Sequence, residues 1–223
     1  MKILTITLPR SRSNWATSTI SEYYKVPNLY EPYRHLFAVP YCKADYQPVT
    51  DSLLSIVDCV FKIEITQLTD RHNKSKVIDL NLLALHSFDK IYTTSRNITD
   101  MVCSHRVANE FDRLIFSSDE TAPPIKTMTF DHTDQKSIIS LHRCLVDTAM
   151  LQYVQDWLTS NNIEYIPLDY DTIIDYSIQN WQGAVQTQWS ATNYDYSTIF
   201  SNYKDIPEII DEYRLSHKNL LTF

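Results

Sequence analysis

The sequence predicts an α/β fold, a three-layer sandwich with a mostly parallel central sheet, in one domain spanning residues 1–223. Three observations predict it. Short runs rich in β-branched residues recur at 2–8, 60–65, 90–94 and 163–168. Stretches of helical apolar period stand between them, and alternation of this kind favours parallel strands with helices on both faces. A hydrophobic content of 43% over 223 residues suffices for one full core.

The elements follow in order. Residues 2–8 read as a buried first strand that Pro9 ends. A helix starts near Ser11–Ser13, with Ala16, Ile20 and Tyr23 on its inner face, and Val26-Pro27 breaks it. Residues 28–50 carry prolines and many tyrosines and read as a long loop with short helical turns. Residues 51–59 look helical, and Val60–Ile65 is the second strand. A helix at 75–86 follows, using Val77, Leu80 and Ala84. Lys90–Thr94 is the third strand, after which Arg96 and Asn97 lead into a helix with Ile98, Met101, Val102 and Ala108 inward. Residues 117–133, with Pro123-Pro124, read as a surface loop. The strongest helical period spans 134–160, through positions 138, 141, 142, 145, 149, 153 and 157. Ile163–Leu168 is the fourth strand, and a helix at 205–216 closes the chain.

Composition excludes several function classes. The net charge of −7 argues against a broad nucleic-acid surface, so an anionic ligand must meet a local cluster of cations. The cysteines at 42, 59, 103 and 144 form no CxxC pair, which argues against a zinc or redox motif and fits reduced thiols. The opening residues are too soon interrupted for a signal peptide, and no apolar run reaches membrane-spanning length. A cytoplasmic protein is the expectation. Glycine occurs once, at Gly183, which rules out the glycine-rich phosphate loops GxxxxGK[ST] and GxGxxG.

Ligands of parallel sheets bind beyond the carboxyl ends of the strands, so the segments after the first and third strands are the places to look. The first is Pro9-Arg10-Ser11-Arg12-Ser13-Asn14-Trp15. It offers two guanidinium groups, two hydroxyls and an amide at a helix start, where unpaired N–H groups and the helix dipole favour an anion. The bland reading is a capped helix start with surface arginines. The run Thr7-Leu8-Pro9-Arg10-Ser11-Arg12-Ser13-Asn14-Trp15 resembles the 5′-phosphosulfate loop of sulfotransferases that use 3′-phosphoadenosine-5′-phosphosulfate (PAPS), approximately T-x-P-[KR]-S-G-[ST]-[ST]-W. Arg12 stands where that family has glycine, and Asn14 where it has Ser or Thr.

The second segment, Lys90 to His105, resembles the other signature of the family, R-[ND]-x-x-[DE]-x-x-x-S. Arg96 ends a strand and Ser104 follows eight positions later, about two helical turns on, with Asn97 and Asp100 also in place. Taken singly, Arg96 reads as a surface cation and Ser104 as a tolerated small polar residue. Weaker likenesses extend the match in order from residue 3 to 175: Tyr30-Glu31-Pro32-Tyr33-Arg34 is similar to a G-E-P-x-R segment, Phe61-Lys62-Ile63 to the strand before the acceptor-side helix, and Leu168–Ile173 to a late Y-E-[DE]-L element. The C-terminal R-K-G-x-x-G-D-W loop has no counterpart, and the region 190–204, around Tyr194 and Lys204, is the candidate to replace it.

The resemblance implies the sulfotransferase type of the fold of P-loop-containing nucleoside triphosphate hydrolases. It implies PAPS as sulfuryl donor, adenosine 3′,5′-bisphosphate as product and no metal. Arg10, Ser11, Arg12, Ser13, Asn14 and Trp15 would hold the 5′ side of the donor, and Arg96 and Ser104 its 3′-phosphate. In-line transfer at sulfur needs a cation for the leaving oxygen and a base for the acceptor proton. Arg10 is the candidate cation. Glu31 is the candidate base, with His35 as the alternative, and a structural ion pair of Glu31 with Arg34 or Arg10 stands equally open. Lys62 is a candidate aid at the sulfuryl oxygens, against the bland reading of a solvated strand-end lysine; His105 and His142 read as core or surface residues on helices. Loops 28–50 and 113–133 would receive the acceptor, with Tyr30, Tyr33, Phe37, Tyr41 and Tyr46 as pocket candidates. A small-molecule, carbohydrate or peptidyl acceptor fits equally. Two rival readings remain at this stage: a small-molecule or nucleotide kinase of related fold, and a non-catalytic nucleotide binder, which Arg12 in place of glycine would suit.

Overall fold

A computed structural model of the chain describes residues 1–11, 13–29, 55, 57–65, 85–110, 126–169 and 194–221. Its centre is a sheet of five parallel strands: β1 (Lys2–Thr7), β2 (Asn28–Leu29), β3 (Cys59–Glu64), β4 (Lys90–Ser95) and β5 (Ile166–Asp169), in the order β2-β3-β1-β4-β5. Among the described residues the α-helices are α1 (Ser13–Tyr24), α2 (Ile98–Glu110), α3 (Gln135–Ser160), α4 (Tyr196–Ile199) and α5 (Ile206–Ser216).

The three central strands are mostly apolar or β-branched and mostly buried, as strands covered on both faces tend to be, with Lys2, Lys62, Glu64, Lys90 and Ser95 as the exceptions. Side chains along β1 alternate between two cores. Ile3 packs with Ala16 and Ile20 of α1, Val60, Tyr92 and Leu168. Leu4 and Ile6 face the other way, into a larger core with Phe61, Ile91, Met101, Val102 and the inner faces of α3 and α5. The result is three layers with β1 at the middle. On the α1 face Thr5 Oγ1 lies 3.0 Å from Thr17 Oγ1, and it also donates to the Phe61 carbonyl at 3.0 Å.

With a single glycine, at position 183, the chain ends two of its described helices with other residues. At the end of α1, Lys25 takes φ 56° while Val26 N–H reaches the Ser21 carbonyl and Lys25 N–H the Glu22 carbonyl. At the end of α3, Asn162 takes φ 55° with the same bond pattern to Leu158 and Thr159. Both are Schellman motifs, in which a left-handed residue satisfies the last carbonyls. The third left-handed residue, Arg10 at φ 65°, lies in the loop after β1.

Several expectations need correction. Tyr23 is 51% exposed and leaves the inner face of α1 to Ala16 and Ile20. Residues 28–29, expected in a loop, pair with Val60 and Phe61 as an edge strand, and Cys59, expected in a helix, opens β3. Residues 85–87, expected to end a helix, form a single 3-10 turn. The segment 126–133 is not all surface: Phe130 is buried and stacks edge-on with Phe200. In α3 the buried face runs through Ser137, Ser140, Leu141, Cys144, Leu145, Asp147, Leu151, Val154 and Leu158. Positions 138, 149, 153 and 157 are half-buried and His142 is exposed. Small polar side chains occupy part of the inner face because α2 approaches there: Ser140 Oγ meets His105 Nδ1 at 3.1 Å, and Ser137 Oγ receives Arg106 Nε at 3.3 Å.

Candidate functional site

The chain leaves β1 toward β2 and β3 but leaves β4 toward β5, so the crevice beyond these two neighbouring strands is the topological switch point of the sheet. Thr7 and Thr94 are paired in register, so the turns at residues 8–11 and 96–97 open side by side.

In that crevice three of the expected residues meet. Arg96 donates from Nη1 to the Arg10 carbonyl at 2.9 Å, and Arg10 donates from Nε to Ser104 Oγ at 2.9 Å. Ser104 lies on α2, whose start is fixed by Asn97: its Oδ1 accepts from the amides of Thr99 at 2.9 Å and Asp100 at 3.4 Å. Two turns along the helix, Ser104 is buried beneath the loop. Burial pushes the Arg10 guanidinium below its usual pKa, the Tyr196 ring opposes that, and the neighbouring Arg96 charge adds to it. A buried guanidinium with a second, half-buried one nearby makes a place where an anion gains more than at an open surface.

The other residues of the loop are placed differently. Ser11 is fully buried; its hydroxyl donates to the Leu8 carbonyl at 2.6 Å and lies 2.7 Å from Thr94 Oγ1. That hydroxyl ties the two strand ends together. Ser13 opens α1 and Trp15 lies in its first turn. Asn14 accepts through Oδ1 from Lys62 Nζ at 2.7 Å. Lys62, on β3, is only 2% exposed, so it is a buried third cation against the loop rather than a solvated strand-end lysine. Glu64, at the end of the same strand and in register with Thr7, is a half-buried carboxylate 4.0 Å from Lys62 Nζ.

Residues 194–203 also reach the crevice. Arg96 Nη2 lies 3.4 Å from Tyr196 Oη, and its guanidinium carbon lies 5.7 Å from the centre of the Tyr196 ring. Tyr203 donates to Asp100 Oδ1 at 3.1 Å; burial, with Asp100 beside it, pushes its pKa up to about 12. Tyr194 packs beside Tyr196 with ring centres 6.4 Å apart, and Lys204 is exposed. Sequence reasoning pointed to this region but not to Tyr196. Tyr194 and Tyr196 flank Asp195, which caps α4.

Arg12, Glu31 and His35 lie outside the described residues, as do the aromatic pocket candidates at 30–46 and most of both acceptor-side loops. Cys59, Cys103 and Cys144 are buried. Burial raises Cys59 to about 11 and Cys103 to about 12, which leaves them poor nucleophiles. His105 is buried at the α2–α3 contact and His142 is exposed near Tyr213. Among the described residues no helix is long and apolar enough to cross a membrane. No protein-family model and no curated protein sequence matches the chain.

Proposed function

We propose that this chain is a PAPS-dependent sulfotransferase with the P-loop type of three-layer fold, acting in the cytoplasm on a small-molecule, carbohydrate or peptidyl acceptor. One observation carries the reading: just beyond the ends of two adjacent parallel strands, Arg96 donates to the backbone carbonyl of Arg10, and the Arg10 side chain donates to Ser104, eight residues after Arg96. A donor with phosphates at both ends of its ribose needs two separated cationic grips that face one another, and the ends of β1 and β4 supply them. The donor set fits: two guanidinium groups, the buried Lys62 ammonium and the start of α1 lie around the same turn.

In the proposed reaction the acceptor oxygen forms a bond to sulfur while the bond from sulfur to the bridging oxygen of the 5′-phosphate breaks. Glu31 takes the acceptor proton. Arg10 stabilises the charge that develops on the leaving phosphate, exchanging its bond to Ser104 for that role. Arg96 and Ser104 hold the 3′-phosphate. Lys62, fixed by Asn14, adds positive charge at the transferred group. The products are a sulfate ester and adenosine 3′,5′-bisphosphate.

Calorimetric titration with adenosine 3′,5′-bisphosphate and with ATP, each with and without magnesium, tests the donor site. Metal-independent preference for the bisphosphate is expected; magnesium-dependent preference for ATP would replace this reading with a kinase. Transfer of labelled sulfate from PAPS across acceptor classes then separates catalysis from mere binding. Arg10→Ala is expected to abolish transfer, whereas a non-catalytic binder would show no transfer in the unmodified chain.

A further inference from the structure

We propose that Tyr196 is a positioning residue for the anion crevice, acting through Arg96 on the backbone of Arg10. This rests on the donor site proposed above and gives that site a support from the far end of the chain. Two links in series carry it, from Tyr196 to Arg96 and from Arg96 to Arg10. The Tyr196 ring stands 5.7 Å from the Arg96 guanidinium carbon, with Oη 3.4 Å from Nη2. Arg96 Nη1 then donates to the Arg10 carbonyl at 2.9 Å. Arg10 itself holds φ 65°, a conformation that an L-residue other than glycine keeps only when its surroundings enforce it.

The chemistry suits arginine alone. A planar guanidinium can offer its face to a ring while its edge donates to a carbonyl, which the point charge of lysine cannot do. Tyr196 can serve as a brace because it is itself fixed: it is 6% exposed, and the segment behind it is tied to residue 128 by two backbone bonds, Met128 N–H to the Ile199 carbonyl at 2.8 Å and Ser201 N–H to the Met128 carbonyl at 2.9 Å. Asp195 closes the start of α4 by accepting from Ser197 N–H at 3.0 Å. A guanidinium held in place loses less freedom when a phosphate arrives, and that gain appears as affinity.

Titration of the full chain with adenosine 3′,5′-bisphosphate tests the brace. Tyr196→Leu is expected to weaken binding roughly tenfold, while Tyr196→Phe, which keeps the ring, stays within about threefold of the unmodified chain. Placed on an Arg96→Lys background, Tyr196→Leu is expected to change affinity less than about threefold, because the residue it acts through has gone. The same tenfold loss on both backgrounds, or no loss on either, overturns the proposal. If the unmodified chain binds no bisphosphate, the donor reading falls separately. Urea unfolding of the four chains of the cycle then decides the brace: non-additive losses at 196 and 96 keep it, and additive losses remove it.

Discussion

Arg96 holds the Arg10 carbonyl at 2.9 Å, so a cation from the end of one strand fixes the backbone of a cation from the end of its neighbour. The Arg10 side chain carries the connection on to Ser104 of α2. In this way the sheet's central crevice is lined by positive charge in a chain whose net charge is −7. The left-handed turn at Arg10 aims that residue and also stores strain, and the two consequences can be separated experimentally.

Arg10→Gly is expected to leave stability almost unchanged while abolishing sulfuryl transfer. Glycine relieves a left-handed backbone cost of about 1–2 kcal/mol. The substitution also deletes the bond from Nε to Ser104, worth about 1 kcal/mol. The two nearly cancel, so urea unfolding midpoints should agree, whereas Arg10→Ala loses the bond and keeps the strain. A glycine variant as unstable as the alanine variant would show that the turn carries no strain.

Ser11→Ala should act on stability before it acts on binding. The hydroxyl is fully buried between the Leu8 carbonyl and Thr94 Oγ1, and its removal leaves both short of a partner. A loss of about 1–3 kcal/mol is expected from groups of this kind. Chemical denaturation measures it, and calorimetry of the bisphosphate shows whether affinity is spared. A large affinity loss with unchanged stability would mean that this hydroxyl turns toward the ligand instead.

Much of this arrangement was legible in the sequence because it hangs on strand ends. The runs at 2–8 and 90–94 carry clear β signals, so the sequence alone puts the residues just after them, Arg10 and Arg96, beyond the carboxyl ends of parallel strands. The eight-residue step from Arg96 to Ser104 is a helical property and was equally visible. The left-handed turn at Arg10 was not, because arginine gives no local signal for positive φ as glycine would. Nor was the inward direction of the Ser11 hydroxyl, which is decided by Thr94, 83 residues away. Tyr196 escaped for the same reason: its partner is 100 residues distant, and a four-residue helix has no periodicity to read. In α3 the apolar period pointed slightly off the true inner face because Ser137 and Ser140 are buried there by contacts with α2.

The pair Lys62–Asn14 should show an asymmetry. Lys62→Met removes a buried charge and keeps most of the side-chain volume but deprives the half-buried Asn14 and Glu64 of that cation, so a loss of only about 1 kcal/mol is expected. Asn14→Leu keeps the ammonium and removes the oxygen that accepts from it at 2.7 Å, and about 2–3 kcal/mol of loss is expected. Transfer activity should fall in both, in the first because the charge has gone and in the second because it is no longer aimed. Equal stability losses would place the Asn14 contact among the dispensable ones.

Acid should loosen the seam between α2 and α3. Arg106, 7% exposed, donates from Nη1 to Glu110 Oε2 at 2.8 Å, and its Nε lies 3.3 Å from Asp134 Oδ2 at the cap of α3. The bond from Arg106, then that from Lys136, holds Glu110 below the usual carboxylate range. For Asp134 burial pushes upward, but the bonds from the Ser137 amide and hydroxyl and the Arg106 charge prevail and lower it. A carboxylate depressed in the folded state adds stability at pH values above its unfolded pKa. That stability is lost as pH falls through the lower, folded value, so the seam weakens below about pH 4. Arg106→Met should therefore cost more stability at pH 7 than at pH 3. Both carboxylates are partly exposed, so the difference will be modest. Urea midpoints of both chains at the two pH values measure it, and an equal loss at each would assign Arg106 to packing rather than to charge.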